Sequence, residues 1–73
     1  MKTYGIDETS RIAGVDKKEM VDFFKLRGYI KPESYGYSAT FLGIEKNCCV
    51  NDKNYNALIT IEGICKVASA WAA

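Results

Sequence analysis

The sequence predicts an α+β domain in which a helix-turn-helix unit is followed by a β-hairpin and a closing helix. Three patterns carry that reading. Residues 12 to 30, IAGVDKKEMVDFFKLRGYI, form a turn, a capped amphipathic helix and an abrupt stop. Residues 48 to 61 set CCV and YNALITI on either side of the polar quartet Asn51-Asp52-Lys53-Asn54, a hairpin signal. From Glu62 the apolar spacing becomes helical, with Ile64, Val67, Ala68 and Trp71 on one face and Glu62, Lys66 and Ser69 opposite.

The chain has 73 residues, room for one domain spanning 1–73. A chain of that size buries only about 60% of its unfolded surface, so marginal stability is expected. Its 48% hydrophobic and 26% charged content suits a globular chain and excludes a disordered tail. No apolar run approaches the ~20 residues of a membrane span, and the start MKTYGIDETS lacks a signal peptide's apolar core. A cytoplasmic protein is expected.

Taken in order, TYGIDETSRIA (residues 3–13) predicts a short helix capped by Asp7 or Thr9 and closed by Gly14, with Ile6, Ile12 and Tyr4 turned inward; an irregular arm with one helical turn is the competing reading. Asp16 then caps the second helix, and Glu19 completes an Asp-x-x-Glu capping box. Met20, Val21, Phe23, Phe24 and Leu26 cover more than half the helical wheel, so this helix should be clasped from two sides. Lys18, Asp22 and Lys25 are left as a solvent strip, and Gly28 supplies the left-handed residue that ends the helix. Pro32 cannot continue a helix, so a loop entering a short strand around Tyr35-Gly36-Tyr37 is expected. Ser38 is expected to cap one or two helical turns in which Phe41, Leu42 and Ile44 make apolar contacts, with a strand continuing through Thr40 as the rival. The hairpin strands should be four to seven residues long, and no sequence repeat is visible. The last turn, AWAA, is expected to hold only if Trp71 docks on the core.

Here the residues resemble a family. The run IAGVDKKEMVDFFKLRGYI, then YGYSATFLGIEKN, then the hairpin ending ITIEGICKVA, is similar to the C-terminal domain of phage antirepressors, the KilA-C type, and to related small prophage regulatory modules. In that family a helix-turn-helix-like unit precedes a T-x-x-G-(I/L) element and a strand running into (V/I)-T-x-x-G. Ile12, Gly14, Val15, Val21, Gly28, Thr40, Gly43, Ile44, Thr60 and Gly63 fall on the pattern, which spans most of the chain. These are apolar and glycine positions that shape a fold and perform no chemistry. The resemblance implies a winged-helix-like domain in phage or prophage transcription regulation, acting on DNA or on a repressor.

The chemistry of catalysis is missing from the sequence. There is no histidine, no G-x-S-x-G, no phosphate-binding glycine loop and no C-x-x-C, so no enzyme, metal, cofactor or small-molecule substrate is expected. Cys48, Cys49 and Cys65 read as reduced, small apolar core residues. Net charge is +1, unevenly spread: residues 11 to 31 hold six bases against three acids, or +3, and the remainder sums to -2. Candidate nucleic-acid contacts are Arg11, Lys17 and Lys18 near the start of the second helix, Lys31 after it, and Lys53 at the hairpin tip. A solvated surface is the alternative for these bases, and Asp22 between Lys18 and Lys25 partly neutralises the strip. Tyr29, Tyr35, Tyr37 and Tyr55 read as core rings, with stacking on unpaired bases as the alternative. Two functions stand open: binding of double-stranded DNA, or a protein-interaction or dimerisation module that holds a repressor or a second copy without DNA contact.

Overall fold

The structure, a computed structural model, describes residues 2–72. Its elements are β1 (Thr3–Tyr4), α1 (Ile6–Ala13), α2 (Lys17–Leu26), β2 (Ile30–Glu33), β3 (Gly36–Ala39), α3 (Phe41–Glu45), β4 (Cys49–Asn51), β5 (Ala57–Thr60) and α4 (Ile61–Ala72). Among the described residues, four helices and two antiparallel sheets, ordered β1-β5-β4 and β2-β3, make it α+β. Met20, Phe24, Ile59 and Val67 are fully buried, so α2, β5 and α4 meet in one core.

The helix ends follow local chemistry. The Asp16 carboxylate accepts from the Glu19 amide at 3.2 Å and starts α2. Gly14 and Gly28 adopt φ +68° and +77°. At each, two backbone amides turn back onto the last turn: Gly14 and Val15 donate to Arg11 and Ser10, and Gly28 and Tyr29 donate to Lys25 and Phe24. This is the Schellman closure that a left-handed residue permits.

Several expectations are corrected. α1 begins at Gly5, in extended conformation, with no side-chain cap; Asp7 and Thr9 lie inside the helix, and Thr9 is fully buried. The inward face is Ile6, Thr9 and Ala13, one helical stripe, which leaves Ile12 53% exposed. In α2 the buried stripe is Met20, Val21 and Phe24; Leu26 lies about 200° around the wheel from Phe24. It is 88% exposed. Residues 30–33 are a strand and not a loop. Pro32 is tolerated because β2 is an edge strand, where a missing N–H interrupts no second ladder. Ser38 belongs to β3, its hydroxyl donating to Glu33 Oε2 at 2.9 Å, and Thr40 is the residue that caps α3. Phe41, expected to make core contacts, is 80% exposed; Leu42 and Ile44 are exposed too, and Gly43 is the buried residue of α3. In the second hairpin β5 has four residues, within the expected length, whereas β4 has three and is shorter than expected, and Asn51 lies within it. Residues 52–56 make the hairpin connection. The hairpin does not stand alone either, since β5 is the central strand between β1 and β4. In α4, Ile64 and Val67 are buried but Ala68 is exposed; Trp71 stands edge-on to Phe23 with centroids 5.5 Å apart. Ala73, the end of the expected last turn, lies outside the described residues. Cys48 and Cys49 are buried as expected, whereas Cys65 is exposed.

A repeat of backbone geometry underlies this architecture, although sequence identity hides it. In the first unit α2 ends at Gly28, the hairpin β2–β3 follows, and Thr40 opens α3. In the second, α3 ends at Asn47 with φ +58°, the hairpin β4–β5 follows, and Thr60 opens α4. Both threonines do the same work. The Thr40 hydroxyl donates to the Gly28 carbonyl at 2.6 Å and accepts from the Gly43 amide at 3.0 Å. The Thr60 hydroxyl donates to the Asn47 carbonyl at 2.6 Å and accepts from the Gly63 amide at 3.2 Å. Their backbone amides donate to the Tyr29 and Cys48 carbonyls, each at 3.0 Å. In each Thr-x-x-Gly quartet the glycine allows the new helix to press on that same carbonyl: a Cβ at Gly43 would strike Tyr29 O, and one at Gly63 would strike Cys48 O.

Candidate functional site

The five bases singled out in the sequence divide into two groups. Arg11 closes α1 and Lys17 opens α2, and both face the Asp7 carboxylate, which Lys17 reaches at 2.7 Å. The hydrogen bond and charge of Lys17, with a smaller contribution from Arg11, hold Asp7 below the usual carboxylate range; Asp7 in turn raises Lys17. Both therefore stay charged around neutrality. Lys18 is exposed beside them.

Lys17 also lines a groove of about 400 Å³ that gathers distant parts of the chain. Its walls are the start of α1 at Gly5 to Asp7, the tip of the first hairpin at Tyr35 to Tyr37, and Asn56 to Leu58. The two hairpin tips are tied by the Tyr35 hydroxyl, which donates to the Tyr55 carbonyl at 3.1 Å. Lys53 is exposed in that second connection. The connection is shaped by Asp52, whose carboxylate accepts from the Asn54 and Asn56 amides at 2.7 and 2.9 Å and is held below its ordinary pKa chiefly by the Asn56 amide.

Lys31 stands apart. It sits mid-strand on β2, 3.7 Å from Glu33 Oε2. The strip on α2 is self-compensating, with Lys25 Nζ 4.0 Å from Asp22 Oδ1 and 6.0 Å from the centre of the Tyr37 ring. Among the described residues, Arg11, Lys18 and Lys53 have no carboxylate within 4.0 Å. Tyr29 and Tyr37 pack against the core, whereas Tyr35 and Tyr55 are exposed at the joined tips.

Sequence reasoning missed Asp7 as the counter-charge to Lys17, and Tyr35 as the tie between hairpins. A carboxylate ten residues before a lysine carries no periodic signal, because the turn at Gly14 sets their approach. Burial pushes the Cys48 thiol up and the Cys49 thiol to about 11, so both are neutral at physiological pH. Among the described residues, no three His, Cys, Asp or Glu side chains gather in a metal-binding group, and no helix is long and apolar enough to cross a membrane. The chain finds no match among family models, curated proteins or solved structures.

Proposed function

We propose that the chain is a DNA-associated regulatory module of the phage or prophage type, similar to the KilA-C domain of antirepressors. In this reading α1 and α2 act as the helix-turn-helix unit, and the part of the wing, expected of the hairpin at residues 48 to 61, falls to β2–β3, which directly follows α2, because β5 is the central strand of the three-stranded sheet. The observation that carries it is the shared groove: Lys17 at the head of α2 and the tips of both hairpins border one surface. The charge of Arg11 acts on Asp7 in the groove wall, Lys18 follows Lys17 on α2, and Lys53 lies in the second connection. Spaced cations suit the phosphate backbone, which contributes affinity and position without sequence information. Asp7 moderates the surface by occupying Lys17.

Titrating a fluorescent duplex at about 50 and 200 mM salt tests this. Three or four phosphate contacts predict a roughly 40- to 150-fold loss of affinity between the two conditions. Binding that is absent at low salt, or indifferent to salt, would refute it. A second reading has its own support: Leu26 and Phe41 are 88% and 80% exposed, and a Cβ at Gly28 would meet Leu42 at 3.6 Å, so apolar side chains flank the end of α2. Such a surface suits a repressor or a second copy of the chain. A monomeric mass at millimolar concentration would exclude the second copy.

A further inference from the structure

A second, larger groove of about 600 Å³ lies on a different face, between the end of α2 and the length of α4. Phe23, Arg27 and Tyr29 form one side, and Ile61, Cys65 and Lys66 lie on the other. Its floor is aromatic and braced. Phe23 meets Phe24 and Trp71 edge-on at 5.6 and 5.5 Å, and the Arg27 guanidinium lies 5.0 Å from the centre of the Phe23 ring. Ile61 is 52% exposed at the rim.

The charges around this floor are unbalanced. Arg27 and Lys66 stand on opposite walls, and among the described residues neither has a carboxylate within 4.0 Å. Glu62 is the single acid of the lining. The α4 wall runs from Ile61 to Ala70, about 14 Å at the rise of a helix, or two to three turns. The groove is open along that length, so it does not enclose a small ligand as a buried pocket does. Its apolar floor also differs from a phosphate-tracking surface, which needs cations and little else.

We propose that this groove is the docking site for an acidic amphipathic helix of a partner protein, its apolar ridge lying on Phe23 and Ile61 and its carboxylates facing Arg27 and Lys66. Helix-in-groove recognition needs these parts: a trough about two turns long, apolar anchors, and flanking charge that selects the partner. The surface is separate from the one proposed for DNA, so failure of duplex binding leaves it standing.

Trp71, the sole tryptophan, touches Phe23 and reports on the groove directly. The probe is a Trp-free 14-residue peptide with blocked ends, leucines along one helical face and glutamates on both flanks; a second peptide carries lysines in place of the glutamates. The glutamate peptide should give a saturable change in Trp71 fluorescence at one peptide per chain, with about a tenfold preference over the lysine peptide. Lys66→Glu should weaken the glutamate peptide about fivefold or more and improve the lysine peptide, while Lys18→Glu changes neither. Should Lys66→Glu fail to fold, Arg27→Gln provides the same comparison. Equal binding of the two peptides, no saturation by about 1 mM, or indifference to charge at position 66 would overturn the proposal. So would concentration-dependent dimerisation that produces the Trp71 change without peptide.

Discussion

The two hairpin units use one backbone device and put it to different ends. In the second, Thr60 is 2% exposed, β5 is flanked on both edges, and α4 is anchored by Ile64 and Val67. In the first, Thr40 is half-buried, the β2–β3 ladder has a single partner on each strand, and α3 is five residues long with Phe41 in solvent. One copy of the motif therefore closes the core and the other presents a surface. The Asn51 side chain joins them, its amide exchanging hydrogen bonds with the backbone of Ala39 at 2.7 and 3.3 Å. The first hairpin is thus held at its base through Asn51 and at its tip through Tyr35, two fixed points that give a projecting contact element its rigidity.

The sharpest way to separate the units is at their glycines. Gly63→Ala is expected to cost about 3 kcal/mol or to prevent folding, because a Cβ there meets the Cys48 carbonyl and α4 is held too firmly to move away. Gly43→Ala meets the Tyr29 carbonyl, but the short α3 can shift, so about 1–2 kcal/mol is expected. Urea unfolding of both variants checks the ranking, and equal losses would mean that the units are equally rigid. The threonines give the next largest contrast. Thr60→Val strands the buried Gly63 amide and should cost about 2 kcal/mol, against about 1 for Thr40→Val, whose hydrogen bonds are only part-buried.

Thiol chemistry sharpens the comparison without disturbing the fold. Cys65 is exposed, whereas Cys48 and Cys49 are buried at the start of the second hairpin with raised pKa values. Native protein should therefore release one equivalent of rapid reaction with an aromatic disulfide, and all three on denaturation. Two rapid equivalents would show that the second hairpin opens readily. The smallest effect is at Asp52. Its pKa is lowered in the folded chain, so its contribution is complete above the unfolded carboxylate pKa near ~4 and is lost as pH falls through the lower folded value. Asp52→Asn should flatten the acid limb of the stability profile, and an unchanged limb would show that the connection is not held by the carboxylate.

How much of this could be seen in the chain itself differs between elements. α2 was legible because Asp16, the apolar stripe and Gly28 all speak locally. The Thr-x-x-Gly quartets were visible too, within the antirepressor-like pattern, but their equivalence was not. Each hydroxyl bonds a carbonyl 12 or 13 residues upstream, and the left-handed residue is glycine in one unit and asparagine in the other. β1 was missed because two residues carry no period, and β2 because Pro32 argues against a strand unless that strand is known to be an edge. Among the candidate bases, Arg11, Lys17 and Lys18 were legible as neighbours of the first turn, whereas the approach of Lys53's loop to the other hairpin depends on the Tyr35 tie.

The most direct measurement is the slope of duplex affinity against salt on logarithmic axes, for the native chain and for the Lys17→Gln/Lys18→Gln double variant. A slope of about -3 is expected for the native chain, shallower by roughly 2 in the variant with its fold intact. A native slope near zero, or a slope that the double variant leaves unchanged, would contradict the claim that the head of α2 meets the phosphate backbone.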